Sequence, residues 1–230
     1  MKADELVHDL EIMPNMSQAV LFAGPSLNPD SKSLIEKTSI DLWPPIKRGD
    51  IEYLRKTQNP THIFIADGEF EQSLSIGHKE IRDAINQNIE IWGLSSMGAI
   101  RAFEMRFLGM KGSGLIFDRF FQEIDFQDDE VALLHGPPPL YIKFSEPLIH
   151  LRICIDDLVN KKRIALEDGT IIIEILKNRY FGERTLELFS KVIEEVTGIA
   201  LDQLISNFSS YRQKEVDLVQ FIQQKKWIHG

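Results

Sequence analysis

Ile89-Glu90-Ile91-Trp92-Gly93-Leu94-Ser95-Ser96-Met97-Gly98-Ala99-Ile100-Arg101-Ala102-Phe103-Glu104-Met105-Arg106 is the stretch from which the fold is read. Ile89, Ile91 and Leu94 form a short apolar run with the character of a buried strand. Ile100, Phe103 and Phe107 recur at helical spacing over residues 99–107. Gly93, Ser95, Ser96, Met97 and Gly98 lie between the two. A strand that breaks at glycine and re-forms as a helix points the unpaired N–H groups of the helix start beyond the strand end. A hydroxyl at that place has two readings. It is a nucleophile on a sharp elbow beside oxyanion donors, or it is a helix N-cap. The strict Gly-x-Ser-x-Gly spacing is absent. Ser96 has Gly98 two residues ahead but Leu94 two behind, and Ser95 has Gly93 behind but Met97 ahead.

Outward from this stretch, strands and helices alternate. Residues 18–23 and 62–66 read as two further short apolar strands, and residues 41–45 as an extended edge segment, because Pro44-Pro45 forbids helix and donates nothing to a ladder. Helices are expected over 30–37, from Arg48-Gly49-Asp50 to about residue 56, over 77–86 and over 115–123. Apolar rather than alternating strands, joined by helices, predict a doubly wound, mainly parallel α/β sheet of the Rossmann or flavodoxin-like kind. Ligands in such sheets bind beyond the carboxyl ends of the strands. Gly24-Pro25-Ser26, Asp67-Gly68-Glu69 and Ser95-Ser96-Met97-Gly98 would then converge on one crevice.

After Ser145-Glu146-Pro147, read as an N-cap and first turn, the pattern is helical to the end: about 147–162, 168–179, 183–196, 199–208 and 211–226. The expected division is an α/β core over 18–144 and a helical appendage over 145–230 that packs on it. Residues 1–17 are polar. The glycine run at 109, 112 and 114 does not match a phosphate-binding loop and reads as a flexible turn between two helices. The acidic residues 125–130 lack the spacing of a calcium loop and read as a solvated turn.

With 230 residues, of which 43% are hydrophobic, the chain can build a proper core. A formal net charge of -9 argues against nucleic-acid binding. No apolar run reaches the length of a membrane span, and the charged start Met-Lys-Ala-Asp-Glu-Leu lacks a signal-peptide core. Cys154 is the only cysteine and lies in an apolar helical segment, so it reads as a buried bystander, and a reducing cytoplasm is the expected setting.

Several side chains are chemical candidates. His78, or a desolvated Lys79, could serve as base for a serine, although both also read as an ordinary helix face. Asp67 and Glu69 could orient a base or hold a metal, while Asp67-Gly68 is equally a common turn pair. Arg101 and Glu104 stand at i, i+3, and Arg101 is near enough to the crevice to hold a carboxylate. His135, before Gly136-Pro137-Pro138-Pro139, is a second base or a structural histidine. No metal and no cofactor is expected on this chain.

Gly24-Pro25-Ser26, Pro44-Pro45 with Arg48-Gly49-Asp50, Asp67-Gly68-x-Phe70, His78-Lys79-Glu80-Ile81, Ser95-Ser96-Met97-Gly98-Ala99 with Arg101-Ala102 and Glu104, Gly109-Met110, Asp128-Asp129-Glu130-Val131-Ala132, His135-Gly136-Pro137 and Ser145-Glu146-Pro147 follow one another in this order. The set resembles the TfuA-like family over about residues 19–152, with a further match around Glu183-Arg184. The resemblance implies a partner role in thioamidation beside a YcaO enzyme, which uses ATP to activate a backbone amide of a peptide or protein. It also implies delivery of sulfide from a thiocarboxylated ubiquitin-like carrier by serine-type hydrolysis. Ser96, with Ser95 as alternative, would then attack, and His78 or Lys79 would take its proton. The N–H groups of Met97 and the Gly24 loop would hold the oxyanion. The alternative is a non-catalytic activator or scaffold that binds the YcaO enzyme and its substrate.

Overall fold

A computed structural model describes residues 19–69, 74–122, 126–200 and 207–229. Segment 1–17 with His8, Gln18, Phe70, Asp125, and residues 201–206 of the helix expected over 199–208 lie outside the described residues. Five strands form one sheet: β1 (Ala19–Phe22), β2 (Ile40–Trp43), β3 (His62–Ile65), β4 (Glu90–Leu94) and β5 (Lys111–Ser113). Their order is β2-β1-β3-β4-β5 and every neighbouring pair is parallel. This is the doubly wound α/β fold in its flavodoxin-like order, with the chain reversing direction across the sheet between β1 and β3.

Alternation along the strands feeds two cores. Val20, Phe22, Ile63, Ile65 and Ile91 pack under Ile51 and Leu54 of α2 (Asp50–Thr57), Ile81 and Ala84 of α3 (His78–Ile85), and Met97, Ala102 and Met105 of α4 (Met97–Met105). Leu21, Phe64, Trp92 and Leu94 point to the opposite face. There α1 (Pro29–Ile35) supplies Ile35, whereas α5 (Leu115–Gln122) lies beside α4 and packs Phe117 against the first core.

The middle of that second face is covered from the far end of the chain. Helices α6 (Leu148–Asn160), α7 (Leu166–Lys177) and α8 (Leu186–Thr197) build a core of their own around Leu151, Ile172 and Phe189. The chain then returns, and α9 (Gln213–Gln224) lays Leu218, Phe221 and Ile222 on the sheet. The Phe221 ring stands 5.0 Å from Phe64 and 5.5 Å from Trp92, with Trp227 of α10 (Lys226–His229) 5.1 Å away. Burying one such ring contributes about 2–3 kcal/mol. Without α9 the sheet would expose an aromatic face, so the last helices complete the α/β layer. No helix of the described residues is long and apolar enough to cross a membrane.

Two local expectations are corrected. The glycine run is a strand: Lys111–Ser113 pairs with the free edge of β4, Gly93 opposite Gly112. Ladder pairing overrides the glycine composition, and Gly112 leaves room for the Phe117 ring, which a Cβ there would approach to 2.1 Å. Ser145 is not a cap either. Its hydroxyl accepts from the Leu134 N–H at 2.8 Å, and α6 starts after Pro147.

Candidate active site

The three strand-end loops meet at one mouth. The Ala66 N–H donates to Phe22 O at 2.9 Å and the Gly98 N–H to Ala66 O at 3.2 Å, which draws the ends of β1, β3 and β4 together. Asp67, buried, then gathers the first loop. Its Oδ2 accepts from the N–H groups of Gly24 and Ser26, both at 2.8 Å, and its Oδ1 from the Ser26 hydroxyl at 2.7 Å. The Gly24 and Ser26 N–H groups are therefore already occupied. That corrects the expectation that the Gly24 loop donates to an oxyanion. Pro25 has no N–H to give.

The β4–α4 turn is an elbow. Ser95 has φ +63°, a left-handed backbone conformation that side chains other than glycine adopt at a cost. The turn closes because of its glycines: a Cβ on Gly93 would lie 1.9 Å from Gly98 O, and one on Gly98 would lie 1.7 Å from Ile65 O. The two serines part company here. The Ser95 hydroxyl donates to the carbonyl of Lys214 at 2.8 Å and is fully buried. Ser96 is the N-cap residue of α4, yet its side chain makes no capping bond. It lines a cleft of about 330 Å³ instead. The N–H of Met97, the first helical residue, is among those that an α-helix leaves without an internal acceptor, whereas that of Gly98 is taken by Ala66.

Pro25, Pro44 and Pro45 line the cleft, together with residues 131–138. Glu69 and His135 line it as well. His135 shares its Nδ1 proton with Gly136 O at 2.8 Å, and its ring meets Tyr141 edge-on at 5.6 Å. Burial, and then the charges of Asp67 and Glu69, push the Tyr141 phenol above its usual range.

Lys214, on α9, is the lining residue that sequence reasoning missed. It is 3% exposed. Its Nζ donates to Val131 O at 3.1 Å and stands 3.8 Å from Asp67 Oδ1. Burial pulls its ammonium down to about 8, against the opposing attraction of Asp67. A signal existed: Lys214 precedes Leu218 by four residues and Phe221 by seven, which places a lysine on the apolar stripe of its own helix.

His78, Lys79 and Arg101 are not brought to the cleft. His78 Nε2 pairs with Glu104 Oε2 at 2.7 Å on the surface, and Lys79 faces Asp83 at 3.9 Å with 83% of its side chain exposed. Both sit at the start of α3, whose buried face is Ile81 and Ala84, so they turn to solvent. Arg101 makes the i, i+3 pair with Glu104, at 2.6 Å. Burial would raise the Glu104 carboxyl, but the hydrogen bonds from His78 and Arg101 outweigh it and hold it below the usual range. No carboxylate-holding role at the cleft follows for Arg101.

A family model described as TfuA-like protein matches residues 67–185, just over half of the chain. The chain belongs to the TfuA-like family. The matched segment begins at Asp67 and contains Ser96 and His135, and it ends before Lys214. TfuA-like proteins are associated with YcaO-type systems, and membership is consistent with a role in thioamidation. No curated protein matches the sequence.

Proposed function

We propose that this TfuA-like chain supplies sulfide to a YcaO-type enzyme in the cytoplasm by hydrolysing the thiocarboxylate terminus of a ubiquitin-like sulfur carrier. The YcaO enzyme, not this chain, uses ATP to activate the backbone amide that receives the sulfur. Cleaving a thiocarboxylate is acyl transfer and calls for a nucleophile and a place for the oxyanion. The observation that carries the reading is Ser96: a serine at a helix start that caps nothing, on a turn whose preceding residue is left-handed, lining a cleft at the sheet's switch region. Its oxygen would attack the acyl carbon, and the Met97 N–H would receive the developing negative charge.

The test is sulfide release from a thiocarboxylated carrier by the isolated chain. Replacing Ser96 by alanine is expected to reduce release by roughly 10³-fold or more. Unchanged release removes Ser96 from the mechanism.

A second reading is a non-catalytic activator that docks a YcaO enzyme and its peptide. It is favoured by Leu140, Ile142 and Phe144, which alternate outward from the segment walling the cleft and are 71%, 57% and 54% exposed. In that case the isolated chain releases no sulfide, and substituting these three residues abolishes the partner's activation.

A further inference from the structure

The geometry points to Lys214 as the base that takes the proton of the Ser96 hydroxyl and returns it to the departing sulfur; this rests on the hydrolytic reading above. Four contacts from four parts of the chain fix this lysine. The Ser95 hydroxyl, on the residue beside Ser96, holds the Lys214 carbonyl at 2.8 Å. Its N–H donates to Nε2 of His150 at 3.2 Å, and that imidazole is held in turn by Glu146 at 2.9 Å through Nδ1. At the other end Nζ donates to Val131 O, with Asp67 at 3.8 Å. A surface lysine has none of this. A lysine whose main chain is clamped by the neighbour of a cleft serine, and which lines the same cleft as that serine with its amine held on Val131, another lining residue, is placed to exchange a proton there.

Asp67 favours the ammonium but does not pair with it fully, and so leaves burial to decide. A lysine in full ion pairing would keep its proton. Asp67 has already divided its two oxygens among Gly24, Ser26 N–H and the Ser26 hydroxyl, and it stands beyond hydrogen-bond distance of Nζ. The other charged or titratable groups around Lys214 are Lys143 from the 134–144 segment, Glu146 and His150 from the start of α6, and Glu215 on its own helix. Glu69, His135 and Tyr141 line the cleft too. Lys143 disfavours the ammonium, and Glu215 is engaged by Lys143 itself and by Asn28 at 3.1 Å. Burial is the dominant influence, and it favours the neutral amine, with the ammonium lowered to about 8.

The step balances. The neutral Lys214 amine accepts the Ser96 proton as Oγ bonds to the acyl carbon of the thiocarboxylate. The C–S bond breaks, and the Lys214 ammonium returns the same proton, so that sulfur leaves as hydrosulfide. Water then attacks the acyl-serine. The amine takes one proton from it and gives it to Oγ, and the carrier leaves as a carboxylate, with the second proton released to solvent. A proton on the leaving sulfur matters because a thiocarboxylate is anionic, and without one the leaving group would be dianionic sulfide.

The experiment measures covalent labelling of the full chain by phenylmethanesulfonyl fluoride across pH, with the modified peptide located by mass spectrometry. In the unaltered protein Ser96 is expected to be labelled at a rate that rises with pH through about 8. Lys214→Met, nearly isosteric and able to stay buried, and Lys214→Arg, which stays protonated, are each expected to slow labelling about 10²–10⁴-fold and to flatten the profile. Ethylamine is expected to restore part of the rate to Lys214→Ala. A purely structural lysine would be replaced successfully by arginine and would not be rescued by an amine. Labelling of Ser96 that is equally fast and equally pH-dependent without Lys214 overturns this assignment and leaves Ser96 as nucleophile. Absence of labelling in the unaltered protein, with sulfide release that survives Ser96→Ala, overturns the hydrolytic reading and this assignment together. If the Lys214 variants do not fold, the unaltered protein's own profile decides: a rate that does not rise through about 8 overturns the assignment.

Discussion

The hydroxyl of Ser95 donates to the main-chain carbonyl of Lys214 at 2.8 Å, across 119 positions of sequence. It ties the elbow of β4 to the final helix and lies wholly out of solvent. Removing the donor leaves a buried carbonyl unpaired, which costs about 1–3 kcal/mol. Ser95 also carries φ +63°, a conformation that glycine adopts without the roughly 1–2 kcal/mol penalty paid by other residues. Ser95→Ala is therefore expected to destabilise more than Ser95→Gly. Urea unfolding of the two variants checks the order, and equal losses would mean that the backbone there is not strained.

The glycines of the elbow are separable from those of ordinary turns. A Cβ on Gly98 would stand 1.7 Å from Ile65 O and one on Gly93 would stand 1.9 Å from Gly98 O, and neither neighbour is a side chain that can swing away. Gly93→Ala and Gly98→Ala must push strand and helix apart and are each expected to cost about 3 kcal/mol or more. Gly77, the residue before α3, has extended φ −89° and open space around its Cβ position. Gly77→Ala is expected to change stability by less than about 0.5 kcal/mol. Thermal melts of the three variants give the comparison.

How far the sequence carried differs by element, for physical reasons. β1, β3 and β4 announce themselves because a strand buried on both faces must be apolar throughout, as in Ile63-Phe64-Ile65. β5 has no such signature: Lys-Gly-Ser forms a strand because β4 offers an unpaired edge, which is a tertiary fact. The convergence of the Gly24, Asp67 and Ser96 loops was legible from strand direction alone. Lys214 was not, because proximity between residues 67, 96 and 214 depends on where α9 docks, and only the single lysine on an apolar stripe hinted that this helix carries more than packing. His78 misled for the converse reason. A histidine at a helix start near a strand end looks available, yet its helix turns it to solvent and to Glu104.

Acid should weaken the network beneath Lys214. His150 is 1% exposed and burial pulls its pKa down to about 4, although its contact with Glu146 opposes this. Its Nε2 must stay unprotonated to accept from the Lys214 N–H. The folded pKa lies below the unfolded value, so the unfolded chain binds more protons between them. The stabilisation is full above about 6.5 and is lost as pH falls toward about 4, to an extent of at most about 3 kcal/mol. Asp217 works against this. Burial raises it to about 6, so its contribution is full below about 3.8 and is lost as pH rises through 6. The clean measurement is the difference between the unaltered protein and His150→Gln, in which Asp217 cancels. That difference should narrow as pH drops from 6.5 to 4. A constant difference would show that His150 does not titrate in this range.

Arg184 holds the turn before cleft residue Val131 and should not tolerate lysine. Its side chain is fully buried, and its guanidinium donates to Leu176 O at 3.0 Å, Arg179 O at 3.0 Å, Asp129 O at 3.0 Å and Asp129 Oδ2 at 2.6 Å. It thus closes the C-terminal end of α7 and pins the turn that leads into Val131, whose carbonyl accepts from Lys214. A planar fork reaches carbonyls on several sides at once, and an ammonium cannot. Arg184→Lys leaves several buried carbonyls unpaired and is expected to cost about 3 kcal/mol or more, at about 1–3 kcal/mol for each unsatisfied acceptor. Asp129 is 42% exposed, so water can replace its carboxylate, and Asp129→Asn should cost under about 1.5 kcal/mol. Denaturant midpoints of the two variants test the asymmetry. An Arg184→Lys protein as stable as the parent would mean that α7 and the 129–131 turn are held by apolar packing alone.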